Sequence, residues 1–558
     1  MTQATEDLQL APGARLELWA GGAPGTLRIR VGQRVVWQVP SFPEQPGFFS
    51  YRHMSTDRAT IEWSGAGAIS WAYSWHPDDV AHTGITAWDF GPDGITRRTG
   101  QEITEWMCAD PDRPRIHFSP VRQWMNDPNG FCRIGDTWHL FYQFHPASRD
   151  WGPMHWGHAT SKDLVHWTHL PVFLHPEQPL WPLGATGGAF SGSTFLDREG
   201  APVIFYTERL PAYDLVEGYT EIQKRAEPGP GLLGVERTTV VLEDRPDGVV
   251  HDFRDPKVWW DQAARAYRMV LGGAIDGDPA VLLYGSDDQV SWSYLGPLYR
   301  APAKFKAEGA RAVECPDFFP LDGRWVLVMG FVGHTDPGSG RHNLLFALVG
   351  DFENDRFETD GVLQLLDFGT DFYAMQSCRA GDRQVAIAWL FNWENRKPPG
   401  SPYSGEMSLP RELSVDARGR LCMSLVDEIA EACPAQTIPG EPGGGFHLPD
   451  APIDLSLTGS LDGTRIVATQ DGDDSFVISV ENGVLSVRVP CDDGEITYSA
   501  EIPGARDLRV LHDRGILEIF ADNGSVCGTR RSYDNVSPDR LQVETSANLR
   551  LDAWTTGS

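Results

Sequence analysis

Across 558 residues, apolar side chains almost never recur at the three- and four-residue spacing that lines one face of a helix. They alternate instead, in short runs closed by Gly, Pro, Asp or Asn: residues 26–36 (TLRIRVGQRVV), 138–144 (WHLFYQF), 202–206 (PVIFY) and 325–329 (WVLVM). A period of two sends successive side chains to opposite faces of a strand, and the closing residues are those that tolerate turn geometry. The chain therefore reads as all-β. The best helical segment is short, residues 426–433 (VDEIAEAC).

A chain this long exceeds one hydrophobic core and should divide. Residues 1–108 read as an additional β-rich N-terminal domain carrying Trp19, Trp37, Trp63, Trp71, Trp75 and Trp88. Residues 109–425 form the expected central domain, and 426–445 a linker with the Pro/Gly stretch TIPGEPGGG at 437–445. In 446–558, runs such as FVISV, VLSVRV and ILEIF alternate with Asp/Gly turns, which suggests a β-sandwich. Within the central region Ser161, Asp163, Val165 and Trp167 are echoed in register by Ser286, Asp288, Val290 and Trp292. A strand, a turn closed by Asp and a strand led by Trp, used repeatedly, suggest a propeller of four to six blades.

The formal net charge is −30, from 77 acidic and 47 basic residues. Such a surface repels phosphate backbones and anionic lipid, so neither nucleic acid nor membrane is an expected partner. A neutral substrate is indifferent to that field. The eight cysteines include no Cys-x-x-Cys pair, and the histidines show no ligand spacing, so no metal or cofactor is expected. The first residues, MTQATEDLQL, lack a basic start followed by an apolar run, which makes the cytoplasm the expected location. A trimmed form of a secreted chain would look the same. The expected state is a monomer or homodimer. The 20 Trp, 26 Phe and 14 Tyr suit large β cores first and sugar stacking second.

Three acids stand in Pro-containing turns far apart in the chain: Asp127 in WMNDPNG (124–130), Asp255 in RDP (254–256) and Glu314 in ECPD (314–317). Taken singly, each reads as a turn carboxylate. Taken together, carboxylates drawn from distant segments suit cleavage of a glycosidic bond, where one attacks or holds charge and another donates a proton.

The flanking residues resemble glycoside hydrolase family 32, the invertase, inulinase and levanase family. The likeness runs through HFSPVRQWMNDPNG (117–130), FYQFHP (141–146), WGHATSKDLVHW (156–167), FSGS (190–193), FRDPKV (253–258), ECPD (314–317), GTDFYAMQS (369–377) and LPREL (409–413). It continues in LHDRGILEIFADNG (511–524), and residues 1–108 lie outside it. The resemblance implies a five-bladed β-propeller followed by a C-terminal β-sandwich. It also implies a retaining hydrolase that removes terminal β-D-fructofuranosyl units from sucrose or short fructo-oligosaccharides.

In that scheme Asp127 is the nucleophile, Asp255 stabilises the transition state and Glu314 is the acid/base, with nucleophile and acid about 5–5.5 Å apart. Asn126, Gln143, Ser191 and Arg254 would bind sugar hydroxyls, and Trp124, Trp151, Phe190, Tyr373 and Trp389 would form aromatic walls. Asp317 and Asp371 would orient neighbours or touch sugar, and His145, His155 and His158 carry no assigned role. Because three carboxylates cannot all ionise cheaply in one pocket, one should keep its proton, and Glu314 is the expected holder. Transfer to a sugar acceptor, difructose chemistry and exo-attack on levan or inulin remain open on the same scaffold. The N-terminal domain could extend the pocket, form a dimer contact or cap the propeller.

Overall fold

The computed structural model describes residues 2–65, 69–180, 185–212, 215, 217–342, 344–390, 393, 397–440, 445–491 and 494–555. Five antiparallel sheets follow one another through the central region, so the expected four to six blades resolve to five. Their innermost strands are Gln123–Ile134, Gly188–Leu196, Arg254–Asp261, Ala312–Leu321 and Tyr373–Ala380. Each inner strand packs on the next, and the fifth returns to the first, closing the ring. Closure is fastened by a short strand, Tyr403–Ser404, which runs parallel to Gln123 and Trp124 in blade 1 although its own chain segment belongs with blade 5.

The sequence echo is a repeated turn. Leu164 and Gln289 take φ +65° and +66°, which lets Ser161 and Ser286 accept from their backbone N–H groups at 2.8 and 2.9 Å. Asp163 and Asp288 each accept from two further amides, and Trp167 and Trp292 each donate to the carbonyl of the left-handed residue at 3.2 Å. Ser and Asp thus satisfy the polar groups that the turn would otherwise leave orphaned between the third and fourth strands of blades 1 and 3.

Beyond the propeller, two six-stranded sheets face each other around Leu455, Ile466, Ile478, Val487 and Leu508. One of them takes in Ala435–Thr437, paired with Asn548–Trp554, so part of the expected linker belongs to the sandwich. Residues 441–444 of that stretch lie outside the described residues. The expected helix appears as Asp427–Ala432.

Residues before the propeller form a second, smaller sandwich of four- and five-stranded sheets around Leu16, Leu18, Leu27, Ile61, Trp63 and Trp88. Its outward aromatic residues Trp19, Trp71 and Tyr73 merge with the core of blade 1, and the Tyr73 hydroxyl accepts from the Val172 amide at 3.0 Å. A helix at Gly100–Cys108 was not expected from the periodicity. Its signal is local: Thr99 and Glu102 form a reciprocal capping box that satisfies orphan amides at the helix start.

Candidate active site

Every inner strand carries the same irregularity near one axial end. Between Met125 and Pro128, Ala189 and Gly192, Arg254 and Lys257, Glu314 and Asp317, and Tyr373 and Gln376, two residues oppose one on the neighbouring strand. Such bulges re-aim side chains that a regular pleat would send sideways. Asp127, Ser191 and Asp255 are bulged residues, while Glu314 and Tyr373 are the last paired residues before the bulge. Asp255, Cys315 and Ala374, each first in its bulge, have φ of +64°, +49° and +49°. The three distant acids therefore converge because five blades repeat one backbone device.

They open into a cleft of about 570 Å³. Of the residues expected to bind sugar, Asn126, Gln143, Trp151, Phe190, Ser191, Arg254, Tyr373 and Trp389 line it together with Asp127, Asp255 and Glu314. Trp124 does not. It is only 3% exposed and sits behind the wall, donating from Nε1 to Asn126 Oδ1 at 2.8 Å and stacking on Trp393 at 5.5 Å. Its indole stands behind Asn126 and packs on Trp389 and Trp393, which line the cleft. Asp317 accepts from Ser377 and pairs with Lys257 at 2.8 Å, while Asp371 pairs with Arg530 of the sandwich at 3.3 Å, so both orient neighbours. His145, His155 and His158 are buried and all are held below the usual histidine range, chiefly by burial.

Asp127 is held at both oxygens. Ser191 Oγ donates to Oδ2 at 2.7 Å and Asn126 Nδ2 to Oδ1 at 3.1 Å, which fixes the carboxylate while burial and the nearby Glu314 push its pKa upward. Asp255 is 5% exposed; burial lifts its pKa, Arg254 opposes, and Glu314 and Asp127 add to the lift, which ends at about 7. Burial therefore favours the protonated form of Asp255. Glu314 receives Arg254 Nη2 at 3.1 Å on one oxygen and the Tyr373 hydroxyl on the other. Tyr373 reaches it across Gly330, where a Cβ would stand 2.5 Å from the phenol oxygen. Arg254 is itself gripped by Asp252 and, at 3.4 Å, by Glu221.

Sequence reasoning missed Arg209, Arg311, His334, His342 and Trp393, which also line the cleft. Arg209 carries its guanidinium 3.4 Å from the Tyr219 ring centre, and Arg311 pairs with Asp252 at 3.1 Å. None stands in a matched motif; a Trp within a Pro-rich loop was the only available signal. No described residue of 2–108 lines the cleft, so the Trp residues of the N-terminal sandwich do not extend it. Among the described residues, no three His, Cys, Asp or Glu side chains are grouped to hold a metal.

Fold and site define a five-bladed propeller with a carboxylate-lined axial cleft and a sandwich behind it. Residues 117–424 match the pattern described as "Glycosyl hydrolases family 32 N-terminal domain", and residues 470–555 match "Glycosyl hydrolases family 32 C terminal". The chain belongs to glycoside hydrolase family 32. It is 32% identical over 456 residues to a raffinose invertase of Escherichia coli, across 77% of this chain and 91% of the relative. To a sucrose-6-phosphate hydrolase of Zymomonas mobilis it is 37% identical over 333 residues, 57% of this chain and 62% of the relative. The structure of a family 32 glycoside hydrolase from Bifidobacterium adolescentis superposes with a TM-score of 0.85 at 25% identity, covering 100% of both chains. The small sandwich ahead of the propeller, which falls outside the family patterns, therefore has a counterpart there.

Proposed function

We propose that the protein is a retaining β-fructofuranosidase acting on sucrose or short fructo-oligosaccharides. The observation that carries this reading is the convergence of Asp127, Asp255 and Glu314 on one cleft, with Asp127 clamped by Ser191 and Asn126. An Asp127 oxygen attacks the anomeric C2 of the fructosyl unit as Glu314 gives its proton to the departing oxygen. Water then attacks C2, loses a proton to Glu314 and frees Asp127. Asp255 holds ring hydroxyls of the fructosyl unit and stabilises the oxocarbenium-like transition state. Arg254 and Tyr373 fix Glu314 in reach of the leaving oxygen. Gln143 and Ser191 supply hydroxyl contacts, and Trp151, Phe190 and Trp389 supply apolar faces.

A second reading, a substrate phosphorylated on its leaving sugar, draws on Arg209, Arg311, His334 and His342 along the wall. The name of the Zymomonas relative points the same way. No helix among the described residues is long and apolar enough to cross a membrane. Cytoplasmic residence, with small imported substrates, fits a cleft of about 570 Å³.

Product analysis by chromatography on sucrose, sucrose 6-phosphate, kestose, levan and inulin tests these readings together. Fructose release from sucrose and kestose, with little from the polymers, is expected. A large preference for the phosphorylated sugar would select the second reading. No fructose from any of the five would overturn both.

A further inference from the structure

In the N-terminal five-stranded sheet, Gly47–Arg52, Arg15–Ala20 and Ile69–Trp75 are adjacent, and register arranges one of their faces in rows. Phe48, Trp19 and Trp71 stand abreast; the next row is Ser50, Glu17 and Tyr73; in the next, Arg15 stands beside Trp75. Trp19 and Trp71 are sealed against blade 1, being 3% and 4% exposed. Beside this seal lies a cavity of about 450 Å³, bounded by Arg15, Glu17, Phe48, Ser50 and Trp75 on the sheet side. The propeller side is formed by residues 172–175 of blade 1 and residues 233–238 leading into and along the outer strand of blade 2. None of these residues lines the axial cleft.

The chemistry of this cavity is specific. The Arg15 guanidinium lies 5.2 Å from the Trp75 ring centre, a stacked planar donor beside an apolar ring. Glu17 is 6% exposed and accepts from the Tyr73 hydroxyl at 2.8 Å, so its carboxyl is fixed in place. Phe48 keeps 41% of its surface exposed and rests on His175 at 4.6 Å. Across the gap Glu236 faces it beside Arg237, which is itself shared with Glu227 at 2.5 Å. Arg15, with Arg52 beside it in register, and Arg237, held by Glu227, stand around the cavity with Glu17 and Glu236. One exposed ring, that of Phe48, flanked by fixed, planar hydrogen-bonding groups, suits a ligand with apolar C–H faces and many neutral hydroxyls. A single exposed ring is too little for a peptide groove.

We propose that this cavity is a second binding site, for a neutral oligosaccharide, built jointly by the N-terminal sandwich and blades 1 and 2. It gives the small sandwich a role apart from the axial cleft: holding an oligosaccharide that the cleft is not itself cleaving.

The test uses the full chain carrying Asp127→Asn, titrated calorimetrically with kestose and run in native gels containing inulin, levan or dextran. Two binding events per chain and retardation by at least one polymer are expected. Adding Phe48→Ala or Arg15→Ala should weaken one event at least about fivefold and reduce retardation, leaving the other event intact. In the otherwise unaltered chain, the same substitutions should leave sucrose turnover unchanged, with circular dichroism confirming the fold. A single kestose event with no retardation in any gel, or retardation that persists in the Phe48→Ala/Arg15→Ala double variant, would overturn the proposal. Failure of the unaltered chain to release fructose would sink the fructosidase reading alone, because the count of binding events does not depend on turnover.

Discussion

The backbone N–H of Cys315 donates to Asp255 Oδ2 at 2.8 Å, while its thiol faces Asp127 Oδ2 at 3.6 Å. Since Cys315 also follows Glu314 directly, one bulged residue ties all three acids together. Its φ of +49° aims the amide at Asp255, and burial with three nearby carboxylates pushes the thiol pKa up, keeping it a neutral donor. Cys315→Ala preserves the amide and should lower kcat by about tenfold, the range of one weak donor lost. Cys315→Val places a β-branched residue at positive φ and should also lower the melting temperature. Equal stability of the two variants would show that the bulge is unstrained.

Asp127→Asn and Glu314→Gln keep shape and remove charge. Each should lower turnover on sucrose by about a thousandfold or more with an unchanged circular dichroism spectrum. Ser191→Ala, which frees one oxygen of Asp127, should cost about tenfold to a hundredfold. Near-normal turnover in either acid variant would remove it from the mechanism.

Asp255 should trade stability for function. Its folded pKa of about 7 lies above the ordinary value of 3.8, so the folded state binds the proton more tightly than the unfolded state. That preference is present in full at low pH and is lost as pH rises from about 4 through 7. Asp255→Asn removes the buried charge and should raise the melting temperature at pH 8 relative to the unaltered chain, with little gain at pH 4, while turnover collapses. The reverse ordering of melting temperatures would contradict the raised pKa.

His117 joins propeller to sandwich, 2.8 Å from Asp513 and 3.2 Å from Glu518. Burial alone would push it down, but the two carboxylates lift its pKa to about 9, above the ordinary 6.5. A raised histidine stabilises fully below about 6.5, and the contribution fades as pH rises through about 9. Thermal melts should therefore show a loss between pH 7 and 10 that is absent in His117→Gln, whose stability at pH 6 should be lower by about 1–3 kcal/mol. Parallel pH curves for the two proteins would discard this clamp.

Lys397 is 7% exposed, stands 2.9 Å from Glu406 and lies 3.3 Å from the Tyr403 ring centre. It anchors the chain four residues after Trp393, and Glu406 pairs in register with Leu390, next to Trp389. Lys397→Met should raise KM about tenfold with a smaller change in kcat, because it loosens a binding wall and leaves the acids in place. A fall in kcat at constant KM would place the defect at the acids instead.

All-β character, the Ser-Asp turn echo and the three acids with their flanking motifs were legible because each depends on local chemistry: alternation, turn-compatible residues and adjacent partners. The helix at Gly100–Cys108 was legible in principle through Thr99 and Glu102, but its short span hid it from a periodicity search. Trp124 does not line the cleft, because its indole is turned to Asn126, and a motif position does not show which way a side chain faces. Arg209, Arg311, His334 and His342 had no sequence signal, since they reach the cleft from segments whose proximity exists only once the blades close.

The sequence alone singled out the candidate acids: Asp127, Asp255 and Glu314 are set in Pro-containing turns whose neighbours mark a family. The upward push on the Asp255 carboxyl was decided by the tertiary structure. Asp255 lies buried at the bulge near Asp127 and Glu314, and Arg254 only partly offsets the lift this gives its carboxyl. Convergence itself was also a tertiary result. Five strands far apart in the chain carry the same two-against-one bulge, and only ring closure turns five local kinks toward one axis.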